Sequence, residues 1–190
     1  MDNLKTRDVM LSLDDYAVVR EDATILDAFR ALEAAQSRLP EGHHRHRAVL
    51  VVDGDGRIVG KVGHFAFLKG LEPQYGQLGD WEAMSRAGLS GTFVRSVLDT
   101  HQLWRQDLTQ LRRRVATTAV GEIMRPIGVS VAADAPLTDA IHFFVIYQTL
   151  SLLVQDGEEM VGILRLSDVY RRVCEFLLAD PPTDAAGAGD

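Results

Sequence analysis

The chain has 190 residues, of which 46% are hydrophobic and 25% charged, and its formal net charge is −7. This composition is typical of a folded globular protein and excludes a collagen-like or disordered chain, while the negative charge disfavours general binding to nucleic acid. No apolar run reaches the roughly 18 residues that cross a membrane, no secretory signal is apparent, and the single cysteine, Cys174, cannot form an internal disulfide. We therefore expect a soluble, cytoplasmic protein without a membrane partner.

The first 69 residues carry a strand and helix pattern followed by an apolar hairpin. After an opening segment, residues 6–10 (TRDVM), residues 22–29 (DATILDAF) are typical of a strand that leads into a helix. Residues 50–60 (LVVDGDGRIVG) place an Asp/Gly turn between two apolar strands, and such residues tolerate the positive φ angles of tight turns. The polar residues 38–46 (RLPEGHHRH) predict a loop insert between helix and hairpin.

Residues 70–116 are too long for a simple linker and predict a helical insertion. Its apolar and aromatic residues recur in alternating steps of three and four: Val94, Val97, His101, Trp104, Leu108, Leu111 and Val115. This spacing predicts one helix over residues 91–115 with a narrow apolar seam. The seam must be buried, and we expect a homodimer in which this helix packs against the same helix of a second subunit, with packing on its own chain as the alternative. The arginines at 112–114 are expected to form a solvated last turn that complements the helix dipole.

The second half of the chain repeats the pattern of the first half. The matching segments are residues 120–124 (VGEIM), 134–141 (DAPLTDAI) and 152–162 (LLVQDGEEMVG). We therefore assign residues 4–69 and 117–178 to two repeats, each with the order strand, helix, strand, strand, helix. Residues 179–190 lack apolar periodicity and are expected to form a mobile tail.

Both halves of the chain resemble CBS domains. Each half has an opening with an acidic residue, a β-branched residue and a methionine, then a helix that starts near Asp-Ala, and then an apolar hairpin with a closing glycine. The resemblance implies an α+β (α/β) fold of two β-α-β-β-α repeats packed as a pair, with the helical insertion between them. It also implies a regulatory module, not an enzyme, that binds an adenosine-containing ligand in clefts between the repeats. We expect AMP, ADP or ATP as this regulatory ligand, no required cofactor, a homodimer, and a separate effector protein that receives the signal.

The family's local signature is a glycine, a hydrophobic residue, any residue, Thr or Ser, two further residues and Asp, placed between the last strand and the last helix. Residues 162–168 (GILRLSD) are similar to it, with Ile163 as the hydrophobic residue and Arg165 in place of Thr or Ser. By this resemblance Asp168 accepts the ribose hydroxyls, Ser167 donates its hydroxyl, and Arg165 could contact a phosphate. A simpler interpretation makes Ser167 or Asp168 the N-cap of the following helix.

By the same resemblance the adenine lies against the short strand at residues 127–131. Gly128 and Val129 are the positions expected to line it, with core packing as the alternative for Val129. In the first repeat, Gly63 and Ala66 stand at the Thr and Asp positions of the signature. Because alanine cannot hold a ribose, we expect one competent site, on the second repeat, and one degenerate site, unless His64 or Lys61 substitutes by a different geometry.

Other chemistries have less support in the sequence. His43 and His46 could reach one metal ion from a loop, but a solvated loop tip explains their composition and we expect no metal site. The sequence has no G-x-S-x-G, H-E-x-x-H or P-loop motif, so no catalytic residue is expected. The competing interpretation is a CBS-fold dimerisation or scaffold protein whose ligand sites are vestigial.

Overall fold

The computed structural model describes residues 4–39, 44–76, 79, 88–105 and 107–179. The chain divides into two compact units, and each has its own sheet and core. The first-repeat unit is Tyr16–Ile127, and the second-repeat unit combines Met1–Asp15 with Gly128–Asp190. Of the predicted tail, only Ala179 lies within the described residues.

The described residues form eight strands and six α-helices, numbered here in chain order. The strands are β1 (Leu11–Ser12), β2 (Val18–Arg20), β3 (Ala48–Val52), β4 (Ile58–Gly63), β5 (Arg125–Pro126), β6 (Ser130–Ala132), β7 (Ser151–Asp156) and β8 (Glu159–Arg165). The helices are α1 (Ile25–Ser37), α2 (His64–Leu71), α3 (Gly91–His101), α4 (Leu108–Thr117), α5 (Leu137–Tyr147) and α6 (Leu166–Leu178). No helix in the described part of the chain is long and apolar enough to cross a membrane.

Each unit contains one four-stranded sheet. The strand orders are β2-β3-β4-β5 in the first-repeat unit and β1-β8-β7-β6 in the second-repeat unit. In each sheet one pair is parallel (β2 with β3, β6 with β7), and the following hairpin is antiparallel (β3 with β4, β7 with β8). The chain orders β2-α1-β3-β4-α2 and β6-α5-β7-β8-α6 confirm the predicted α+β class and its two β-α-β-β-α repeats.

The fourth strand of each sheet comes from the segment that precedes the other repeat along the chain. β1 pairs with β8, and β5 pairs with β4, both antiparallel. The opening segments TRDVM and VGEIM therefore belong to the units that they do not immediately precede. As a result, the compact units do not coincide with the predicted boundaries 4–69 and 117–178.

Close packing explains why a methionine and a glycine recur in both repeats. A Cβ atom placed on Gly162 of β8 would lie 2.6 Å from the carbonyl oxygen of Leu11 and 2.8 Å from the Sδ of Met10. A Cβ atom on Gly60 of β4 would lie 2.6 Å from the Sδ of Met124. Each glycine thus makes room for the methionine and the short strand that complete its sheet.

Apolar side chains from strands and helices fill the two cores. The first-repeat core includes Val51 and Val62 from the hairpin, and α1 begins beside it at a capping box in which Asp27 N–H donates to the Thr24 hydroxyl at 3.1 Å. The second-repeat core includes Val154 and Leu164 at the corresponding hairpin positions. The apolar periodicity of the sequence therefore corresponds to burial on the helix-covered face of each sheet.

The two hairpins are not related by the single offset that the sequence comparison predicted. Leu50 pairs with Lys61, and Leu153 pairs with Ile163. Since Lys61 and Ile163 each directly follow the repeated glycine, Leu50 corresponds to Leu153 and not to Leu152 as aligned. The turn of the first hairpin is longer by one residue, which sequence matching across a glycine-rich turn does not detect.

The single helix predicted over residues 91–115 is wrong, because the structure has two helices there. α3 ends at His101, and Gln102 and Trp104 adopt left-handed backbone angles, with φ of 50° and 60°. Glu72 holds this break: its Oε2 accepts from the Trp104 backbone N–H at 2.9 Å. The Trp104 indole also donates to the Tyr75 hydroxyl at 2.9 Å. The heptad seam is therefore interrupted between its third and fifth positions.

α4 packs within its own unit, against α1 and α2. Val115 contacts the first-repeat core, which agrees with the intramolecular alternative for this part of the seam. Arg112 and Arg113 are exposed, as predicted for a solvated turn. Arg114 differs, because it is half-buried and its Nε donates to the Gly70 carbonyl oxygen at 2.8 Å. That bond satisfies an end carbonyl of α2.

Candidate functional site

Residues 162–168, which resemble the ligand-binding signature, lie at the junction of β8 and α6. Ile163 is buried in β8, and Arg165 ends that strand opposite Ser151 of β7. Arg165 occupies the N-cap position of α6, and no side chain caps the helix. Ser167 and Asp168 therefore lie inside the first helical turn, so the N-cap interpretation of these two residues is wrong.

Arg165 and Asp168 form a buried, bidentate ion pair. Their side chains are 6% and 5% exposed. The Arg165 Nη2 donates to Asp168 Oδ1 at 3.0 Å, and the Arg165 Nε donates to Asp168 Oδ2. Such paired, parallel bonds are the strongest geometry that an arginine and a carboxylate form. Both oxygens expected to accept ribose hydroxyls thus already accept from a guanidinium, a contact that the sequence interpretation missed.

Gly128 and Val129 lie at the same end of the second-repeat sheet as this ion pair. They immediately precede β6, whose Ser130 pairs with Leu153, two residues after Ser151. The register therefore places Gly128 level with Ser151, which pairs with Arg165. Gly128 is exposed, and a Cβ there would meet no atom within 4 Å.

The side chain of Val129 is partly buried and packs against the second-repeat core. The alternative interpretation, core packing, therefore applies to the buried part of the Val129 side chain. The strand predicted over residues 127–131 is displaced, because β6 covers Ser130–Ala132. Gly128 and Val129 therefore form the approach to the strand rather than part of its ladder.

The corresponding junction of the first repeat has a different set of side chains. Ala66 is buried in α2, where Asp168 stands in the second repeat. Lys61 lies in β4 opposite Arg125 of β5. Burial lowers the pKa of the Lys61 ammonium below its ordinary value, and the nearby Arg125 charge lowers it further. This junction has no carboxylate at the Asp position, as the sequence predicted.

A cavity of about 570 Å³ opens beside the loop that precedes β3 in the first-repeat unit. Its lining residues are mostly basic or imidazole side chains: Glu33, Gln36, His44, Arg45, His46, Arg47 and His64. His46 is fully buried and packs edge-to-face on Tyr16, with ring centroids 4.5 Å apart. The solvated loop tip predicted for this histidine is therefore wrong. In the sequence, His and Arg alternate at residues 44–47, directly before an apolar strand. This alternation was the signal that could have indicated the basic cavity.

The metal alternative for this loop involved His43 and His46. His43 lies outside the described residues. Within the part of the chain that the structure describes, no group of three or more His, Cys, Asp or Glu side chains is placed to hold a metal ion. The two arginines that line the cavity suit an anion better than a cation.

Comparison with known proteins identifies the family. The CBS domain family matches residues 7–72 and 120–175, which together make up more than half of the chain. The chain therefore belongs to the CBS domain family, and the two matched regions make it a tandem CBS pair. No enzymatic family is indicated, and no curated protein sequence matches significantly.

Solved structures have a similar fold at low sequence identity. A CBS domain-containing protein of unknown function from Bacillus anthracis aligns with a TM-score of 0.61 and 12% identity over 92% of this chain and 95% of its own. CBSX2, solved in complex with AMP, aligns with a TM-score of 0.55 and 19% identity over 91% and 98%. Protein MJ1004 from Mathanocaldococcus jannaschii aligns with a TM-score of 0.55 and 20% identity over 90% of this chain, which spans 60% of that protein.

Proposed function

We propose that this CBS pair is a regulatory module, not an enzyme, that binds an adenine nucleotide, AMP, ADP or ATP, and signals to a separate effector protein by a conformational shift. The complex of CBSX2 with AMP supports a nucleotide as the ligand of this fold. The observation that carries the proposal is the buried Arg165–Asp168 pair at the junction of β8 and α6. A nucleotide alters the output only through its different affinities for two arrangements of the protein.

A buried ion pair is weak support for stability, because the cost of removing two charges from water offsets most of their attraction. An apolar pair of similar volume at this junction would serve folding equally well. The charged pair lies at the same end of the sheet as the exposed Gly128, which is two strands away across β7 and where a Cβ would meet no atom within 4 Å. Buried charges in such a place are typical of a binding site rather than of a core.

The proposed site contains six residues with separate roles. Asp168 accepts from the ribose hydroxyls, Arg165 contacts a phosphate, and Ser167 donates its hydroxyl. Ile163, Val129 and Gly128 form the apolar slot for the adenine. Amide groups in the first turn of α6 add positive potential for a phosphate.

The basic cavity in the first-repeat unit supports a phosphate-bearing ligand independently. Arg45 and Arg47 both line it, together with three histidines. Guanidinium groups bind phosphate oxygens through paired hydrogen bonds. We therefore propose this cavity as a second, weaker place where the phosphates of a nucleotide can be held, because its repeat has Ala66 where the second repeat has the proposed ribose carboxylate.

Thermal unfolding with AMP, ADP, ATP, NAD and S-adenosylmethionine tests the proposal. A ligand at 100 times its Kd stabilises the folded state by about 2.7 kcal/mol, which raises the Tm of a chain of this size by roughly 5–10 °C. We expect this shift with at least one of the three adenine nucleotides. Absence of a shift with every adenosine compound would reject nucleotide sensing in favour of the scaffold interpretation.

A pair of matched variants tests the proposed site within that assay. Asp168→Asn removes the proposed ribose acceptor, whereas Glu158→Gln makes the same chemical change at an exposed turn. We expect the nucleotide-dependent shift to disappear in Asp168→Asn and to remain in Glu158→Gln. An equal shift in both variants would show that the ligand binds elsewhere.

We also propose that the module is a homodimer in which α5 and α6 meet a second copy. Val145 on α5 and Tyr170 and Leu177 on α6 are 70%, 69% and 71% exposed. α5 and α6 pack against each other, and the proposal takes these exposed side chains as one apolar interface surface. On α3, Phe93 and Leu98 are less exposed, at 44% and 39%. Leu108 of α4 is 79% exposed, so the insertion also presents an apolar side chain, but the interface proposed here is centred on α5 and α6.

Light scattering during size-exclusion chromatography tests the dimer. We expect about twice the 21.0 kDa chain mass for the wild type, and the mass of one chain for the double variant Tyr170→Glu/Leu177→Glu. Arg171→Glu, an exposed change on the same helix, should leave the dimer intact. If the wild type elutes at the mass of one chain at micromolar concentration, the dimer proposal fails.

A further inference from the structure

A cavity of about 500 Å³ lies where the helical insertion meets the end of α2, within the first-repeat unit. None of its described lining residues has an apolar side chain, and they include Glu72, Gln74, Thr100, Gln102, Arg105 and Gln110. The volume suits a small molecule, and a lining without apolar groups suits a polar one. These residues belong neither to the proposed nucleotide site nor to the basic cavity beside β3.

The carboxylate of Glu72 is buried at this cavity without a cation beside it. Glu72 is 1% exposed, and its oxygens accept from the backbone N–H groups of Gln74 and Trp104 at 3.2 and 2.9 Å. Among the residues that the structure describes, no basic side chain forms an ion pair with it. A buried carboxylate without a counter-ion is unfavourable. Each carboxylate oxygen has two acceptor positions, so each retains one for a further donor.

The backbone beside the cavity is also held at unfavourable angles. Gln102, which lines the cavity, and Trp104 have φ of 50° and 60°. Left-handed angles are costly for residues other than glycine and asparagine, and such strained positions concentrate at binding sites. The buried charge of Glu72 and the strained break therefore occur at the same cavity, and both costs are understandable if a ligand binds there.

We propose that this cavity binds a free polar amino acid, whose ammonium group becomes the counter-ion of Glu72. Arg105, which is exposed and lines the same cavity, binds the carboxylate of the ligand. A guanidinium forms paired hydrogen bonds with a carboxylate, which makes it well suited to this role. The carboxamides of Gln74, Gln102 and Gln110 supply donors and acceptors for the polar side chain of the ligand.

The charges at the cavity favour a zwitterion over a simple ion. A simple anion would satisfy Arg105 but would be repelled by the Glu72 carboxylate. A simple amine would satisfy Glu72 but would be repelled by the guanidinium. An amino acid carries one charge of each sign, so a single ligand is attracted by both side chains.

Thermal unfolding with serine, threonine, asparagine and glutamine at millimolar concentration tests the proposal. Valine and leucine are the matched controls, because they have nearly the same shape as threonine and asparagine but an apolar side chain. We expect at least one polar amino acid to raise the Tm, and neither valine nor leucine to do so. Absence of a shift with all four polar amino acids, or an equal shift with the apolar pair, overturns the proposal.

Isothermal titration of the amino acid that binds tests the role of each charge. Its decarboxylated amine and its deaminated acid lack one charge each; for asparagine these compounds are β-alaninamide and succinamate. Because a hydrogen bond to a charged group contributes strongly to binding, we expect each analogue to bind roughly tenfold more weakly or less. If either analogue binds as tightly as the amino acid, the cavity does not recognise a zwitterion and the proposal fails.

Arg105→Gln is the variant that tests the carboxylate contact, since Arg105 is exposed and its loss leaves the Glu72 hydrogen bonds in place. We expect the amino acid to lose roughly tenfold in affinity or more, the amine to lose none, and AMP to bind as in the wild type. Arg171→Gln, an exposed change on α6, should leave all three affinities unchanged. An unchanged amino acid affinity in Arg105→Gln, or an equal loss for the amine, contradicts the proposed contact.

Discussion

Replacement of Gly162 by alanine tests the packing that joins β1 to the second-repeat unit. The new Cβ would lie 2.6 Å from the Leu11 carbonyl oxygen and 2.8 Å from the Met10 Sδ, where ordinary contacts begin near 3.4 Å. The methionine can rotate away, but the carbonyl belongs to the strand that pairs with β8 at Gly162. The backbone of β1 must therefore move by most of an ångström.

Overpacking of this kind costs about 1–3 kcal/mol, and each kcal/mol lowers the Tm of a chain of this size by roughly 2–4 °C. We expect Gly162→Ala to lower the Tm by about 2–12 °C in a calorimetric or circular dichroism melt without ligand. Gly128→Ala is the matched control, because the same methyl group meets no atom within 4 Å there. Equal melting temperatures for the two variants would refute the role given to close packing at β1.

Three further predictions concern buried polar groups. Asp168→Asn should destabilise the fold by about 3–5 kcal/mol in urea titrations, because the buried Arg165 loses the carboxylate that accepts two of its hydrogen bonds. The paired change Arg165→Met/Asp168→Leu should be close to neutral, and a large loss in that double variant would contradict this view. Burial lowers the pKa of Lys61 below its ordinary 10.5, so the charged ammonium destabilises the folded state at low pH, and that cost is relieved as the pH rises toward 10.5. The wild type should therefore gain stability relative to Lys61→Met over that range. Parallel pH profiles of stability for the two proteins would reject the argument. The Glu72 carboxylate accepts from the backbone N–H groups of Trp104 and Gln74, and Glu72→Gln leaves one of these two donors without its acceptor. We expect the free energy of unfolding to fall by about 1–3 kcal/mol, measured by denaturation with Glu158→Gln as the control. Equal stability of the two variants would show that Glu72 does not stabilise the helix break.

The sequence was informative wherever the structural signal is local. The apolar hairpins and the helix starts repeat within short windows, so the two β-α-β-β-α units could be predicted from their order. The strand exchange could not, because β1 and β5 have two residues each and no periodicity. Their strand partners are distant along the chain. The only matching feature in the sequence is the repeated methionine and glycine, which pack on each other as Met10 on Gly162 and Met124 on Gly60.

The insertion shows why spacing alone misled the helix prediction. Heptad positions are counted along the chain whatever the backbone does between them. Gln102 and Trp104 adopt left-handed angles, yet neither is a glycine or asparagine that would signal such a turn. The buried Glu72 that accepts the Trp104 amide lies 32 positions earlier in the chain, so the break depends on a tertiary contact.

The sequence named the residues of the candidate site, which stay a prediction, but it did not reveal the ion pair that Arg165 and Asp168 form. Arg165 was noted as a departure from the family signature, and its spacing of three from Asp168 suits a pair on one helical turn. An N-cap at Ser167 or Asp168 starts the helix too late. Arg165 then lies outside the helix end, and its pairing with Asp168 is not expected. The buried pair becomes visible only when α6 begins directly after Arg165.

Equilibrium titration of the wild-type chain with AMP tests the central claim most directly. With the ribose carboxylate on the second repeat and alanine at that position in the first, the account predicts saturable binding of one AMP per chain at the second-repeat site, and weaker binding elsewhere. Loss of that binding in Asp168→Asn, with Glu158→Gln unaffected, would complete the expected result. Absence of measurable binding of AMP, ADP and ATP by the folded wild type would contradict it.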